Sequence, residues 1–194
     1  MRNQNAQFTP ERPHDAVGII EFSSIAKGIE AADNMLKTSD VVLLVSRTIC
    51  PGKHMSVIGG DTAAVRAAID AARIVGEREL VDDFMIANLH PQVIPAMEGV
   101  SEMGEVDALG IIEAFAVATL IEGADTAAKT AKVRLLEIRL AMAIGGKGFV
   151  TLTGDVAAVR AAVDAGAAKV AAKGLLVQKV VIPSPRPEII RDLI

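Results

Sequence analysis

The sequence contains no tryptophan and no tyrosine, and only five of its 194 residues are phenylalanine. Proteins that hold bases or sugars by stacking rely on exposed aromatic faces, so that mode of recognition is excluded. Positive charge is also short: 20 Lys and Arg stand against 24 Asp and Glu, a net charge of −4. The basic residues are scattered rather than clustered, which removes the patch that phosphate binding needs. No stretch approaches the roughly 20 apolar residues of a membrane span, and the run from Val41 to Val45 is far shorter. Neither nucleic acid nor a membrane is therefore expected as a partner. The single cysteine, Cys50, cannot close a disulfide within the chain, which fits a reducing compartment. The start is polar, carries Pro10 and Pro13 and lacks an apolar h-region. Residues 1–15 are accordingly read as a flexible arm rather than a secretory signal, and the location as intracellular.

Aliphatic residues are abundant. Hydrophobic residues make up 51% of the chain, enough for a substantial core, and most are Ala, Val, Ile and Leu. A mean hydropathy of +0.40 in so short a chain implies that other subunits cover part of its apolar surface.

An internal repeat decides the organisation. Ala16-Val17-Gly18-Ile19-Ile20-Glu21 returns as Ala108-Leu109-Gly110-Ile111-Ile112-Glu113, an offset of 92 from Ala16 to Ala108. Ile29-Glu30, Ala32-Asp33 and Lys37 keep that register with Ile121-Glu122, Ala124-Asp125 and Lys129. Gly60-Asp61 and the Ala63–Ala68 stretch then match Gly154-Asp155 and Ala157–Ala162 at an offset of 94, from Gly60 to Gly154. The second copy has gained two residues, and they fall between Arg139 and Gly146, opposite Arg47 and Gly52. One loop carries most of the difference between the copies.

Each copy reads as βαββαβ. Ala16 to Phe22 is a short apolar strand, and Ile25, Ile29, Ala32 and Leu36 recur at helical spacing behind a Ser23-Ser24 cap. Val41 to Arg47 and His54 to Ile58 are strand-like around a Pro51-Gly52 turn. Asp61 and Asp155 are placed as helix N-caps, with Val65, Ala68, Ile69 and Ala72 as a buried stripe. Leu80 to Ala87 and Leu175 to Ile182 give the fourth strands, and short helices are expected after His90-Pro91 and Arg186-Pro187. The fold class is α+β: two tandem ferredoxin-like units, each an antiparallel sheet with helices on one face.

The Gly18-x-Ile20-Glu21 opening, the Ala32-Asp33 and Lys37 helix, the glycine loop and the Gly60-Asp61 helix start, all present twice, resemble the bacterial microcompartment shell domain. The order of elements resembles the standard, non-permuted tandem subclass, with domains over residues 16–104 and 105–194. That resemblance implies a homotrimer of hexagonal outline, a pseudohexameric tile in a compartment shell within the cytoplasm. It also implies that Thr48, Ile49, Cys50, Pro51, Gly52 and Lys53 line a central pore together with Ala143, Ile144, Gly145 and Gly146. Lys37 and Lys129 match the family's lysine at the tile edge, where other shell proteins dock. Arg186 matches the basic edge residue of the closing Pro-Arg-Pro segment, and His90 holds that place in the first copy. Without the resemblance both lysines read as solvated helix ends.

Cys50 sits in Thr48-Ile49-Cys50-Pro51-Gly52-Lys53, a loop that closely resembles that of the propanediol-utilisation type of tandem shell protein. In that type one cysteine per chain binds a [4Fe-4S] cluster on the threefold axis, which implies three Cys50 ligands here and electron transfer or cluster delivery across the shell. Encapsulated redox enzymes become candidate partners. On its own a lone cysteine reads as a small buried side chain, and Cys50 with His54 has Cys-x-x-x-His zinc spacing. A cluster-free pore for small metabolites is the rival within the family, and a trimeric signalling or ligand-binding protein the rival outside it.

Catalytic signals are thin. Gly146-Lys147 and Gly52-Lys53 lack the remaining glycine and the Ser or Thr of a P-loop. Glu21/Glu113, Asp33/Asp125 and Asp61/Asp155 occur in both copies, as structural carboxylates would, and His14, His54 and His90 lie far apart. No enzymatic activity is expected.

Overall fold

A computed structural model describes residues 15–101, 104–140 and 145–192. The first copy folds as β1 (Ala16–Phe22), α1 (Ile25–Thr38), β2 (Val42–Ile49), β3 (Lys53–Gly60), α2 (Thr62–Gly76) and β4 (Leu80–Ala87). A short helix, α3 (Val93–Glu98), follows. The second copy repeats the order as β5 (Ala108–Ala114), α4 (Val117–Thr130), β6 (Arg134–Leu140), β7 (Gly148–Gly154), α5 (Val156–Ala171) and β8 (Leu176–Pro183), with α6 (Pro187–Asp192) after it. The strand orders are β2-β3-β1-β4 and β6-β7-β5-β8, antiparallel throughout. The expected pair of α+β units is thus present. Of the arm expected over residues 1–15, all but Asp15 lies outside the described residues.

The strand β1 is apolar but for Glu21 because both of its faces are covered. Ile20 and Phe22 face the helices and cluster with Met35, Val65 and Ile69. Val17 and Ile19 point the other way with Met55 and Val57, and join a larger cluster with Val117, Ile121, Leu135 and Val93. That second cluster crosses from one copy into the other. A solvated face would have alternated apolar with polar residues, so the sequence of β1 already encodes a second covering layer.

Helix ends follow local chemistry. The Ser24 hydroxyl accepts the Lys27 N–H, and the Asp61 carboxylate accepts those of Ala63 and Ala64 at 2.8 and 2.9 Å. Asp155 departs from expectation: it occupies the N-cap of α5, yet its exposed carboxylate makes no capping bond. The apolar spacing in α1 also means something different from a core stripe. Gly28, Ala31, Ala32 and Met35 face the sheet, whereas Ile25, Ile29 and Leu36 stay exposed.

The paired helices approach most closely in the second unit. A Cβ added at Gly166 would lie 2.7 Å from the Gly123 carbonyl oxygen, a backbone atom that cannot swing aside. The equivalent residues in the first unit are Ala31 and Ala72, so α1 and α2 already carry that methyl pair. Gly166→Ala should cost about 1–3 kcal/mol through overpacking, read as a lowered midpoint in chemical denaturation.

Candidate functional site

Strand pairing sets the two loops. In the first unit the β2–β3 ladder runs to Ile49 opposite Lys53, leaving Cys50, Pro51 and Gly52 as the turn. Gly52 takes φ +74°, a conformation suited to glycine. In the second unit the ladder stops at Leu140 opposite Gly148, so seven residues rather than three separate the paired ends. Ala143 and Ile144 lie outside the described residues. Gly145 and Gly146 are described, with φ +64° and +82°.

The loops adjoin each other within one chain. A Cβ at Gly146 would fall 3.3 Å from Pro51 Cδ and 3.6 Å from the Cys50 carbonyl oxygen. Each loop is held at its base by an ion pair to the strand that opens its unit: Lys53 Nζ to Glu21 Oε1 at 2.8 Å, and Lys147 Nζ to Glu113 Oε1 at 2.5 Å. The repeated carboxylates therefore have a structural task. Glu21 is buried, so Lys53 supplies the charge that its burial requires. Thr48, Pro51 and Gly52 are exposed, Cys50 and Lys53 are half-buried, and Ile49 is buried.

His54 faces away from the exposed loop surface. Its ring packs beneath α1, where a Cβ on Gly28 would come within 2.5 Å of the His54 Cβ. Nε2 lies 3.2 Å from Ser46 Oγ, and the buried Nδ1 has no hydrogen-bond partner. Burial pushes its pKa below the usual imidazole value. This placement removes His54 from a zinc pair with Cys50. Among the described residues no group of three or more His, Cys, Asp or Glu side chains converges on a metal position. One chain thus offers one thiolate at the loop, and a cluster needing several fits only where several chains bring their loops together.

The junction between the units involves residues that spacing alone did not single out. The His90 N–H donates to Asp125 Oδ1 at 2.7 Å, and Lys129 Nζ pairs with Asp125 Oδ2 at 2.7 Å. Gln92 docks on the open edge of β6, its Oε1 accepting the Leu135 N–H at 2.7 Å and its Nε2 donating to the Val133 carbonyl at 3.3 Å. Arg47 reaches the Met97 carbonyl at 3.1 Å. The matching positions in the other copy lie open: Lys37 pairs with an exposed Asp33 on α1, and Arg186 is exposed beside α6. The apolar residues follow suit. Val117, Ile121 and Val93 are 1%, 0% and 0% exposed, whereas their counterparts Ile25, Ile29 and Ile189 are 37%, 56% and 51% exposed. Equivalent surfaces are filled inside the chain and vacant at its two ends. A repeated Glu-Lys pair at fixed positions in both copies was the available sequence signal for the loop anchors, but Gln92 has no such signal, because its counterpart is Glu188.

Two tandem α+β units with paired hairpin loops define a shell-domain architecture. The BMC domain matches residues 16–89 and 108–185, and the chain belongs to that family. It is a tandem-domain protein of the bacterial microcompartment shell type. It is similar to the bacterial microcompartment shell protein PduT of Citrobacter freundii, with 42% identity over 179 residues, 92% of this chain and 97% of that one. The carboxysome shell protein CsoS1 of Prochlorococcus marinus is 37% identical over 97 residues, 47% of this chain and 92% of its own. The crystal structure of a microcompartment protein from Desulfitobacterium hafniense DCB superposes with a TM-score of 0.86 at 50% identity, covering 91% of this chain and 98% of that one. Among the described residues no helix is long and apolar enough to cross a membrane.

The environment of His54 gives a pH dependence of defined sign. Its folded pKa is lowered by burial, so below the unfolded value of about 6.5 the unfolded chain binds the proton more readily and stability falls. Above that value the group contributes nothing. The melting temperature should therefore drop from pH 7 towards pH 5, and His54→Gln should flatten that slope.

Proposed function

We propose that the chain assembles as a homotrimeric, six-sided shell tile, with domains over residues 16–104 and 105–194 alternating around a threefold axis. The observation that carries this reading is the mismatch in exposure between equivalent surfaces. The α4 face is buried on the first unit, and the same face of α1 is left apolar and open. Three copies placed head to tail would cover every such face and close the ring. Thr48 to Lys53, with Ala143 to Gly146, then surround the axial pore. Lys37, Lys129, His90 and Arg186 are the candidate contacts with other shell proteins at the tile rim.

Three Cys50 thiolates around that axis fit the ligand demand that one chain cannot meet. Residues Cys50 of three chains would hold one [4Fe-4S] cluster, which when bound supplies one-electron redox chemistry for electron transfer or cluster delivery across the shell. The chain's own part is to fix the hairpin through Lys53 and Glu21 and to present a turn whose exposed residues are small. Encapsulated redox enzymes are the matching partners. A second reading, a cluster-free pore for small metabolites, draws on Gly145 and Gly146, which leave the backbone bare at those two positions of the longer loop.

Two measurements test these readings separately. Wild-type protein should sediment as a trimer and Ile29→Asp as a monomer; a monomeric wild type removes the tile reading. Anaerobically isolated protein should contain about four iron and four sulfide per trimer, with an EPR signal on redox poising, and Cys50→Ser should lose all of these while remaining trimeric. Iron-free protein after cluster reconstitution defeats the cluster and leaves the tile.

A further inference from the structure

The two ends of the chain differ in one atom group at the seam. Inside the chain, the Gln92 amide lies on the edge of β6 as a substitute strand, accepting from the Leu135 N–H and donating to the Val133 carbonyl. The segment after β8 repeats the turn and the first hydrogen bonds of the one after β4, although α6 starts at Pro187, one residue ahead of Glu188, and α3 starts just after Gln92. Asn88 and Ser184 both take positive φ, 51° and 47°, and their N–H groups donate to the Asp15 and Asp107 carbonyls at 2.8 and 2.9 Å. The Val93 and Ile189 N–H groups then donate to the His90 and Arg186 carbonyls, each at 3.0 Å. Glu188 therefore holds the position of Gln92 on an already formed hook.

The receiving edge is also duplicated. The Val41 and Val133 N–H groups donate to the Ser39 and Ala131 carbonyls at 2.9 and 2.8 Å, so the approach to each edge strand has one geometry. β2 is the outermost strand of its sheet, as β6 is of its own. The groups corresponding to Leu135 N–H and the Val133 carbonyl are Leu43 N–H and the Val41 carbonyl. Asp33, counterpart of the Asp125 that accepts the His90 N–H, stands exposed on α1 ready for the Arg186 N–H.

We infer that Glu188 is the residue that seats each chain on the β2 edge of a second copy. It accepts the Leu43 N–H, but its carboxylate has no donor for the Val41 carbonyl. This rests on the trimeric ring proposed above and adds a built-in inequality: at this position the three seams inside chains carry two hydrogen bonds from one side chain, whereas the three between chains carry one and set acceptor against acceptor. The ring is therefore made to open between chains.

The exchange Glu188→Gln restores the missing donor, with Glu188→Met as a control that removes the charge without an amide. In a dilution series read by sedimentation velocity and native mass spectrometry, Glu188→Gln should lower the trimer dissociation midpoint about fivefold or more, the scale of one added hydrogen bond. Hydrogen exchange at the Leu43 amide should slow, and Glu188→Met should give neither change. A wild-type trimer whose dissociation Glu188→Gln leaves unchanged, or that Glu188→Met tightens equally, overturns the seam and leaves the ring. A wild-type chain that is monomeric at every concentration overturns both.

Discussion

A sheet that is apolar on both faces has to be covered twice. The helices α1 and α2 cover one face of the first sheet, and the second unit with α3 covers the other. That requirement fixes the arrangement of the two units, because Val17, Ile19, Met55 and Val57 have no solvent-facing alternative. It also explains why α4 is buried along almost its whole length while carrying the same pattern as α1. Burial of apolar area is worth about 25 cal/mol per Å², so leaving Ile25, Ile29 and Ile189 in water is costly unless another copy covers them. The elevated mean hydropathy of the chain has the same origin.

Much of the fold was legible because the duplication made it so. A single short apolar run such as Val41–Val45 is ambiguous between strand and helix, but two runs in register within two repeats are not. The ends of β1 and β4 were read from sequence as they occur in the structure, and the loop that differs was placed by the change of offset alone. Periodicity misled where two apolar stripes share one helix. In α1, Gly28, Ala31, Ala32 and Met35 face the sheet while Ile25, Ile29 and Leu36 face outward, and at Gly28 the ring of His54 leaves no room for a larger group. The cap at Asp155 was overstated for a different reason: residue type marks the N-cap position, but the carboxylate of an exposed cap can turn to solvent instead.

The candidate site was only half legible. The single thiol and the length difference of the loops are written in the sequence, and so are Glu21 with Lys53 and Glu113 with Lys147, four residues at matching positions. Their pairing across strands was not, since it depends on the register of β1 with β3. Gln92 was invisible for a deeper reason. It works through its side-chain amide on another strand's backbone, and backbone carries no residue identity to read.

Duplication followed by divergence offers a threefold ring something a sixfold ring of identical chains lacks. In a ring of six equal units every loop meets five copies of itself, so a single thiol per unit would place six at the axis, too many for one cluster, and any change to a loop is made six times. Unequal halves would instead give a ring of three chains three short loops that carry Cys50 and three longer ones that carry Gly145 and Gly146. The short loop carries the thiol and the long loop carries two glycines, and each is anchored by its own buried or half-buried carboxylate. The contact between Gly146 and Pro51 within one chain shows that this division is local: the long loop is bare of side chains where the short one presses against it. A Cβ at Gly146 would sit 3.3 Å from Pro51 Cδ, close enough that the turn would have to give by a few tenths of an ångström, and φ +82° strains any side chain there, so the two loops constrain each other.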